Sequence, residues 1–319
     1  MLPDFLIIGA EKGGTTWLHD RLRRHPNVFM PLVKELHYFN ARNSNLEPQR
    51  NFEEQGRDWY ESHFRDGKGK EAIGEATPMY LCDRVAPERI HQLLPNVQLI
   101  ACLRYPTGRA YSHYWMARGK DHTKQSFEKL VHDRDERFIE RGRYGQQLNR
   151  YLEFFNREQL LVLIHEELFA QPVESLNRIC SFLGIDDEFF RDQSWVTETV
   201  HGASAVRSTI LHRMIGTVAT WMRKHGGFRG VLDFTKKIGL APWLKQANRK
   251  ERSYPEMSDE LRHTLDEYYA RTIQRVEQIL GRRLDVWRSR SARALPEPSL
   301  DVQVDDGAMG NSTPEEATP

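Results

Sequence analysis

Apolar runs and helical stripes alternate along most of the chain. Phe5 to Ile8 is a continuous apolar run, short enough for a buried strand. Val97 to Leu103 (Val-Gln-Leu-Ile-Ala-Cys-Leu) and Leu160 to Ile164 are two more, and Ala72-Ile73-Gly74-Glu75-Ala76-Thr77-Pro78 reads as a strand end. Helical spacing fills the intervals. Thr15 to Arg24 carries Trp17, Leu18 and Leu22 and is stopped by His25-Pro26. Trp59 to Phe64 predicts a short helix, and Val85 to Leu94 a longer one ending at Pro95. A helix after Pro106 places Ala110, Tyr111, Tyr114 and Trp115 on one side, and Phe127 to Ile139 predicts a charged helix. Tyr144 to Phe155 and Glu174 to Leu183 follow, the second closed by Gly184. Glu260 to Leu280 is a long amphipathic helix ending at Gly281, with Trp287 docking after it. Two stretches have another character. Residues 41–56 are polar and irregular, a surface loop. In Lys34 to Asn40, Glu35 and His37 alternate with Leu36 and Tyr38, and strand-like alternation puts the Glu and His on one face.

Strands alternating with helices predict an α/β fold: a P-loop-like parallel sheet flanked by helices, with a mainly helical C-terminal part. In such sheets ligands lie beyond the carboxyl ends of the strands. Lys12, Glu35, Thr77 and Arg104 all follow strand candidates, so they can meet in one crevice. The pattern predicts a single domain over residues 1–295. From Pro296 the tail to residue 319 is rich in Pro, Ser, Asp and Glu, and disorder is expected there. No internal repeat is visible.

The turn between the first strand and the first helix carries the chemistry. Gly9, Gly13 and Gly14 let the backbone turn sharply, and Thr15 opens the helix, so free backbone N–H groups gather at a positive dipole end. That is an anion site, and the usual anion is phosphate. The nucleoside-triphosphate loop reads G-x-x-x-x-G-K-[ST]. Here Gly9 and Gly14 have its spacing, but Thr15 stands at the lysine position and the lysine lies inside the loop, at Lys12.

Composition narrows the picture further. Hydrophobic content of 39%, charged content of 29% and a formal charge of +1 are those of a globular protein, with no bias toward nucleic acid. Cys82, Cys102 and Cys180 lack metal-ligand spacing and do not form an even set, which points to free thiols in a reducing compartment. No run approaches the roughly 18 apolar residues of a membrane span, and Phe5 follows Met1 too closely for a signal peptide, so a cytoplasmic location is expected. Residues 207–252 hold eleven Lys or Arg against Asp233 and Glu251. They read either as a solvated helical face or as a basic cover over an anionic ligand.

On these residues the chain resembles the sulfotransferases that use 3′-phosphoadenosine 5′-phosphosulfate (PAPS), above all the heparan-sulfate-type enzymes and their soluble bacterial cousins. Lys12-Gly13-Gly14-Thr15-Thr16-Trp17-Leu18 is similar to that family's 5′-phosphosulfate loop. Leu103-Arg104-Tyr105-Pro106 followed by Arg109-Ala110-Tyr111-Ser112-His113-Tyr114 is similar to its 3′-phosphate motif. Lys34 to Phe39, Glu75 to Pro78 and Leu280-Gly281 with Trp287 extend the likeness to roughly residues 4–290.

The resemblance implies roles. Lys12, Gly13, Gly14, Thr15, Thr16 and Trp17 would hold the 5′ end of the donor, Arg104 and Ser112 its 3′-phosphate, and Arg207 would match a basic turn that closes over that phosphate. Arg104 also fits on chemical grounds, as a planar fork suited to phosphate. Lys12, with Thr16, would stabilise the leaving phosphate. Glu35 would be the base, and His37 stands two residues on as an auxiliary or alternative base, histidine being a residue type suited to proton transfer.

Relatives that act on heparan sulfate carry a lysine where this chain has Ala76 and an acid where it has Asn40, positions that help hold a sulfated sugar. The expected acceptor is therefore a small-molecule, lipid-linked or carbohydrate hydroxyl or amine. No metal is expected. Two other readings are weighed against this one. A P-loop kinase or ATPase is opposed by the displaced lysine and by the lack of an apolar strand ending in a metal-binding Asp. A non-catalytic nucleotide-binding protein is opposed by the joint presence of Lys12, Glu35 and His37.

Overall fold

The computed structural model describes residues 1–197, 204–206, 249–251 and 254–288. Its centre is a five-stranded parallel sheet in the order β2-β3-β1-β4-β5. The strands are β1 (Phe5–Gly9), β2 (Val28–Phe29), β3 (Ala72–Ala76), β4 (Gln98–Leu103) and β5 (Leu160–Ile164). Phe5 pairs with Gly74 on one side and with Gln98 on the other. The β1 strand is apolar throughout because both its faces are covered. Successive side chains enter opposite cores: Leu6 and Ile8 face one layer, Phe5 and Ile7 the other.

The Phe5/Ile7 face packs against α1 (Thr15–Leu22), through Trp17, Leu18 and Leu22, and against α9 (Pro172–Leu183), through Leu176 and Ile179. Between β5 and α9 lies the short α8 (His165–Ala170). The Leu6/Ile8 face packs against more helices. They are α3 (Gly56–Ser62), α4 (Ala86–Leu93), α5 (Pro106–Gly119), α6 (Phe127–His132), α7 (Tyr144–Leu152) and α10 (Asp259–Leu280). Gly184 and Gly281 end α9 and α10 in the left-handed conformation, where glycine is cheapest. After α10, Trp287 in α11 (Asp285–Arg288) is buried, and its indole N–H donates to Glu166. A separate antiparallel ribbon pairs β6 (Ser204–Val206) with β7 (Arg249–Glu251).

The expected α/β architecture stands, and so does the helical C-terminal part in α10 and α11. Three local expectations do not. The polar stretch 41–56 contains the short helix α2 (Asn51–Glu54). The helix expected to Ile139 stops at His132, because Arg134 takes a φ of 49° and the Asp135 carboxylate binds the amides of Arg137 and Phe138. Residues 34–40 are not a strand. Arg207, the basic segment 207–252 apart from Arg249–Glu251, and the tail 296–319 lie outside the described residues.

Candidate active site

The loop after β1 is tied to the neighbouring strand by main-chain bonds. Ala10 N–H donates to Cys102 O at 2.8 Å, and Gly13 N–H closes the turn on Ala10 O at 2.9 Å. A Cβ on Gly13 would sit 2.1 Å from Cys102 O, so only glycine lets the loop lie this close to β4. Gly14 has a φ of 97° and caps α1 with no side-chain bond. Leu18 N–H is the first to bond back, to Gly14 O, so the amides of Gly14 to Trp17 have no acceptor within the helix. They lie at the positive end of α1, in a turn where Thr15 is buried and Thr16 half-buried.

Lys12 stands in this loop with a φ of 71°. Its amine is half-buried and lies 3.4 Å from Met116 Sδ on α5. Burial pulls its pKa below that of an ordinary lysine, and the charge of Arg104 lowers it further. Arg109 and Lys120 act in the same direction, while Glu11 opposes them. Lys12 follows β1 and Arg104 follows β4, its neighbour in the sheet, so these two cations, 92 positions apart in the chain, lie at the same carboxyl edge. Arg104 follows directly on β4. The next residues are fixed firmly: Tyr105 N–H donates to Glu166 Oε1 at 3.1 Å, and Thr107 Oγ1 donates to Asp266 at 2.5 Å. Ser112, half-buried, lies two turns along α5 from Arg104.

Aromatic rings wall the loop on the α8 side. His165 Nδ1 lies 3.1 Å from Gly13 O, and Phe169 packs against both His165 and Trp17. Trp17 itself is buried, with the Arg21 guanidinium 5.2 Å over its ring. Phe169 keeps an exposed face. Beneath the loop is a second group of charges. Glu11 accepts from Arg141 at 2.6 Å and lies 3.4 Å from His113. Burial, with Arg109 next, holds the His113 ring well below the usual histidine range. Arg109 is fully buried and donates to Phe138 O, and it lines a cavity of about 10 Å³ with Glu11, Arg141 and Gln147.

Glu35 and His37 lie beyond β3, the other neighbour of β1. Glu35 N–H donates to Ala76 O at 3.0 Å, which holds the residue at the carboxyl end of the strand. The expected alternation is present, with Leu36 and Tyr38 buried and Glu35 and His37 turned outward. The strand geometry is absent: φ is 67° at Glu35 and 51° at His37. The two side chains face each other at 3.7 Å, and the Lys34 amine pairs with the other Glu35 oxygen. His37 Nδ1 lies 3.2 Å from Asn40 Oδ1. Among the described residues, six non-glycine positions have positive φ, and Lys12, Glu35 and His37 are three of them. Such backbone persists only where its surroundings over-determine it, and it gathers at functional sites.

The structure thus brings Lys12 to Thr16 and Arg104 to the ends of the adjacent strands β1 and β4, with Ser112 farther along α5. Glu35 and His37 lie on the same edge beside it. Glu11, Arg141, His113, His165 and Phe169 were not singled out from the sequence. Glu11 alone had a local signal, since it directly precedes the loop lysine. The others join the site only through long-range packing. The α1 helix also reaches the far side: the His19 ring is 3.0 Å from Pro31 O, at the start of the segment that carries Glu35, and burial lowers its pKa to about 4. No group of His, Cys, Asp and Glu able to hold a metal occurs among the described residues. No helix among them is long and apolar enough to cross a membrane.

A family model described as a sulfotransferase domain matches residues 2–277. Heparan sulfate glucosamine 3-O-sulfotransferase 6 of Homo sapiens is 32% identical over 190 residues, which is 57% of this chain and 52% of that protein. The membrane-associated sulfotransferase kil1 of Dictyostelium discoideum is 36% identical over 141 residues, 41% of this chain and 28% of that protein. The chain thus spans about half the length of the first relative and less of the second. Among solved structures, a sulfotransferase from Alicyclobacillus acidocaldarius superposes over 90% of this chain and 99% of its own with a TM-score of 0.64, at 24% identity, a likeness of fold.

Proposed function

The chain belongs to the sulfotransferase family, whose domain model spans most of its length, and we propose that it moves the sulfuryl group of PAPS to a hydroxyl or amine of a carbohydrate or small-molecule acceptor. The observation that carries this reading is the placing of two cations at the ends of adjacent strands. A lysine inside a glycine loop, at a helix N-terminus, follows β1, and an arginine follows β4, with which β1 pairs. The donor carries a 5′-phosphosulfate and a 3′-phosphate on one ribose, so its site must bind anions at two places. The residues present fit it. The amides of Gly14 to Trp17 with Lys12, Gly13, Thr15 and Thr16 would take the 5′ end, and Arg104 with Ser112 the 3′-phosphate. The half-exposed Phe169 ring, with Trp17 behind it, offers the purine an aromatic wall.

The chemistry is an in-line displacement at sulfur. The bond from the acceptor oxygen or nitrogen to sulfur forms as the bond from sulfur to the 5′-phosphate oxygen breaks. Glu35 takes the proton that the acceptor loses, and His37, across from its free oxygen, orients it or relays the proton. Lys12 and the helix amides stabilise the charge that grows on the leaving phosphate. Each of these groups is held before the reaction, so positioning and electrostatics supply most of the rate, as in phosphoryl transfer.

Binding calorimetry with adenosine 3′,5′-bisphosphate (PAP) and with Mg-ATP tests the reading. Tight binding of PAP without Mg²⁺ is expected, and preference for Mg-ATP would overturn it in favour of a kinase or ATPase. Transfer of ³⁵S from labelled PAPS into a cell extract separates an enzyme from a protein that only binds the nucleotide.

A further inference from the structure

We propose that Glu75 is the positioning residue of the loop that carries Glu35 and His37. Its buried carboxylate locks Tyr60 and Tyr80, and these two side chains set the backbone of residues 35–38. The role given to the loop rests on the preceding reading; the geometry does not.

Glu75 lies near the end of β3 and is 1% exposed, and no side-chain cation among the described residues bonds to it. Three hydroxyls converge on it. Tyr80 and Thr77 donate to Oε1 at 2.7 and 2.6 Å, and Tyr60 donates to Oε2 at 2.5 Å. An ionised carboxylate only accepts, so each hydroxyl must commit its proton to Glu75. Burial pushes the Glu75 pKa up and the three hydroxyls pull against it. A buried acid of this kind is an expensive way to fill a core, since apolar residues would do so without the desolvation cost.

The commitment of those protons has a consequence further out. With its proton on Glu75, the Tyr80 oxygen has only lone pairs left, and it accepts from Tyr38 N–H at 3.0 Å. The Tyr60 ring lies flat against the Tyr38 ring, 4.4 Å between centroids and 11° from parallel. Tyr38 is therefore held by its amide and by its ring, each time through a tyrosine that Glu75 orients. His37 is the preceding residue. On the other side, Ala76, which follows Glu75, accepts the Glu35 amide. The left-handed backbone at Glu35 and His37 is thus bracketed by two bonds that both trace back to β3 at Glu75. From the outside, Asn51 Nδ2 reaches Leu36 O at 3.2 Å and His37 O at 3.3 Å.

Amide exchange and histidine NMR on the full-length chain test this with Glu75→Gln and Tyr80→Phe. An amide side chain has one acceptor oxygen where the carboxylate has two, so at least one of the three hydroxyls loses its acceptor and can only turn to accept from the amide N–H. Tyr80→Phe keeps the ring in the core and removes the acceptor of Tyr38 N–H. In both variants, exchange of the Tyr38 amide should rise about ten-fold or more. The His37 ring signals, assigned with His37→Asn, should shift, while amides of β4 keep their protection and PAP affinity stays within about two-fold of wild type. Unchanged Tyr38 exchange and His37 signals in folded Tyr80→Phe overturn the proposal. So does an equal acceleration across β3 and β4, which would make Glu75 a general stability residue. Should Glu75→Gln not fold, Tyr80→Phe decides alone. A wild-type chain that fails to bind PAP would remove the sulfotransferase reading and leave the exchange comparison standing.

Discussion

The two halves of the site are built by different means. On the side proposed for the donor, the candidate anion-binding groups among the described residues sit on or next to regular structure: a strand, a tight glycine turn, the first turn of α1, α5 itself, and the junction of β4 with α5. On the side proposed for the acceptor, Glu35 and His37 ride on an irregular segment whose form depends on side chains from β3, α2, α3 and the turn after β3. The donor half is a product of backbone geometry, and the acceptor half is a product of tertiary packing. The first suits a ligand that does not vary, and the second leaves room for the acceptor to differ while the donor site is kept.

The sharpest way to break this comparison is at Lys12. Lys12→Ala removes the one cation in the glycine loop and should lower ³⁵S transfer on the order of 10³-fold, with little change in melting temperature. Transfer at the wild-type rate would take Lys12 out of the mechanism. The acceptor half is tested at Glu35. Glu35→Gln should lower transfer by about 10²-fold while PAP affinity, read by calorimetry, is retained. If Glu35→Gln keeps its activity and His37→Ala loses it, His37 is the base. Loss of PAP affinity in Glu35→Gln would show that the two halves are not independent.

The smallest effect concerns pH. The Lys12 pKa lies below the ordinary lysine value through burial and Arg104. An anion binds the protonated amine better, so PAP affinity should be level at lower pH and fall as pH rises through that lowered pKa, before the range of a free lysine. The sign for folding is the opposite. The unfolded chain holds this proton to higher pH, so the contribution of Lys12 to stability rises with pH between the folded and unfolded values. Titrations of PAP binding in wild type and Lys12→Gln separate the two, since the variant should lose the alkaline fall.

The same division governs what the sequence could tell. Phe5 to Leu18 and Val97 to Arg104 are local messages: an apolar run, a turn that needs glycine, a helix start, a cation at a strand end. Each of these turned up where its residues predicted. The segment 34–40 also carried a true signal, since Leu36 and Tyr38 are buried and Glu35 and His37 are not. Its backbone was illegible, because the partner of Tyr38 N–H is a tyrosine 42 residues away and no ladder forms. Arg141 is a similar case. Nothing near it in the chain marks it, and it matters because it meets Glu11 across 130 residues. The shortened helix at His132 shows the limit at short range, where a single Asp side chain competes with the helix for backbone amides.

Besides the pairing of β1 with β3, a side-chain bond among the described residues links the two halves. The α1 helix starts at the donor loop, and His19, on its second turn, meets Pro31 O just before the segment that carries Glu35. A displacement of α1 on filling of its first turn would act on Pro31 through this contact, and so on the segment that carries Glu35. Linkage is reciprocal, so an acceptor that settles the 31–38 segment would alter the hold on the donor by the same factor. On the proposed reading, a single imidazole, that of His19, would then be one of the links between what fills the glycine loop and what meets Glu35.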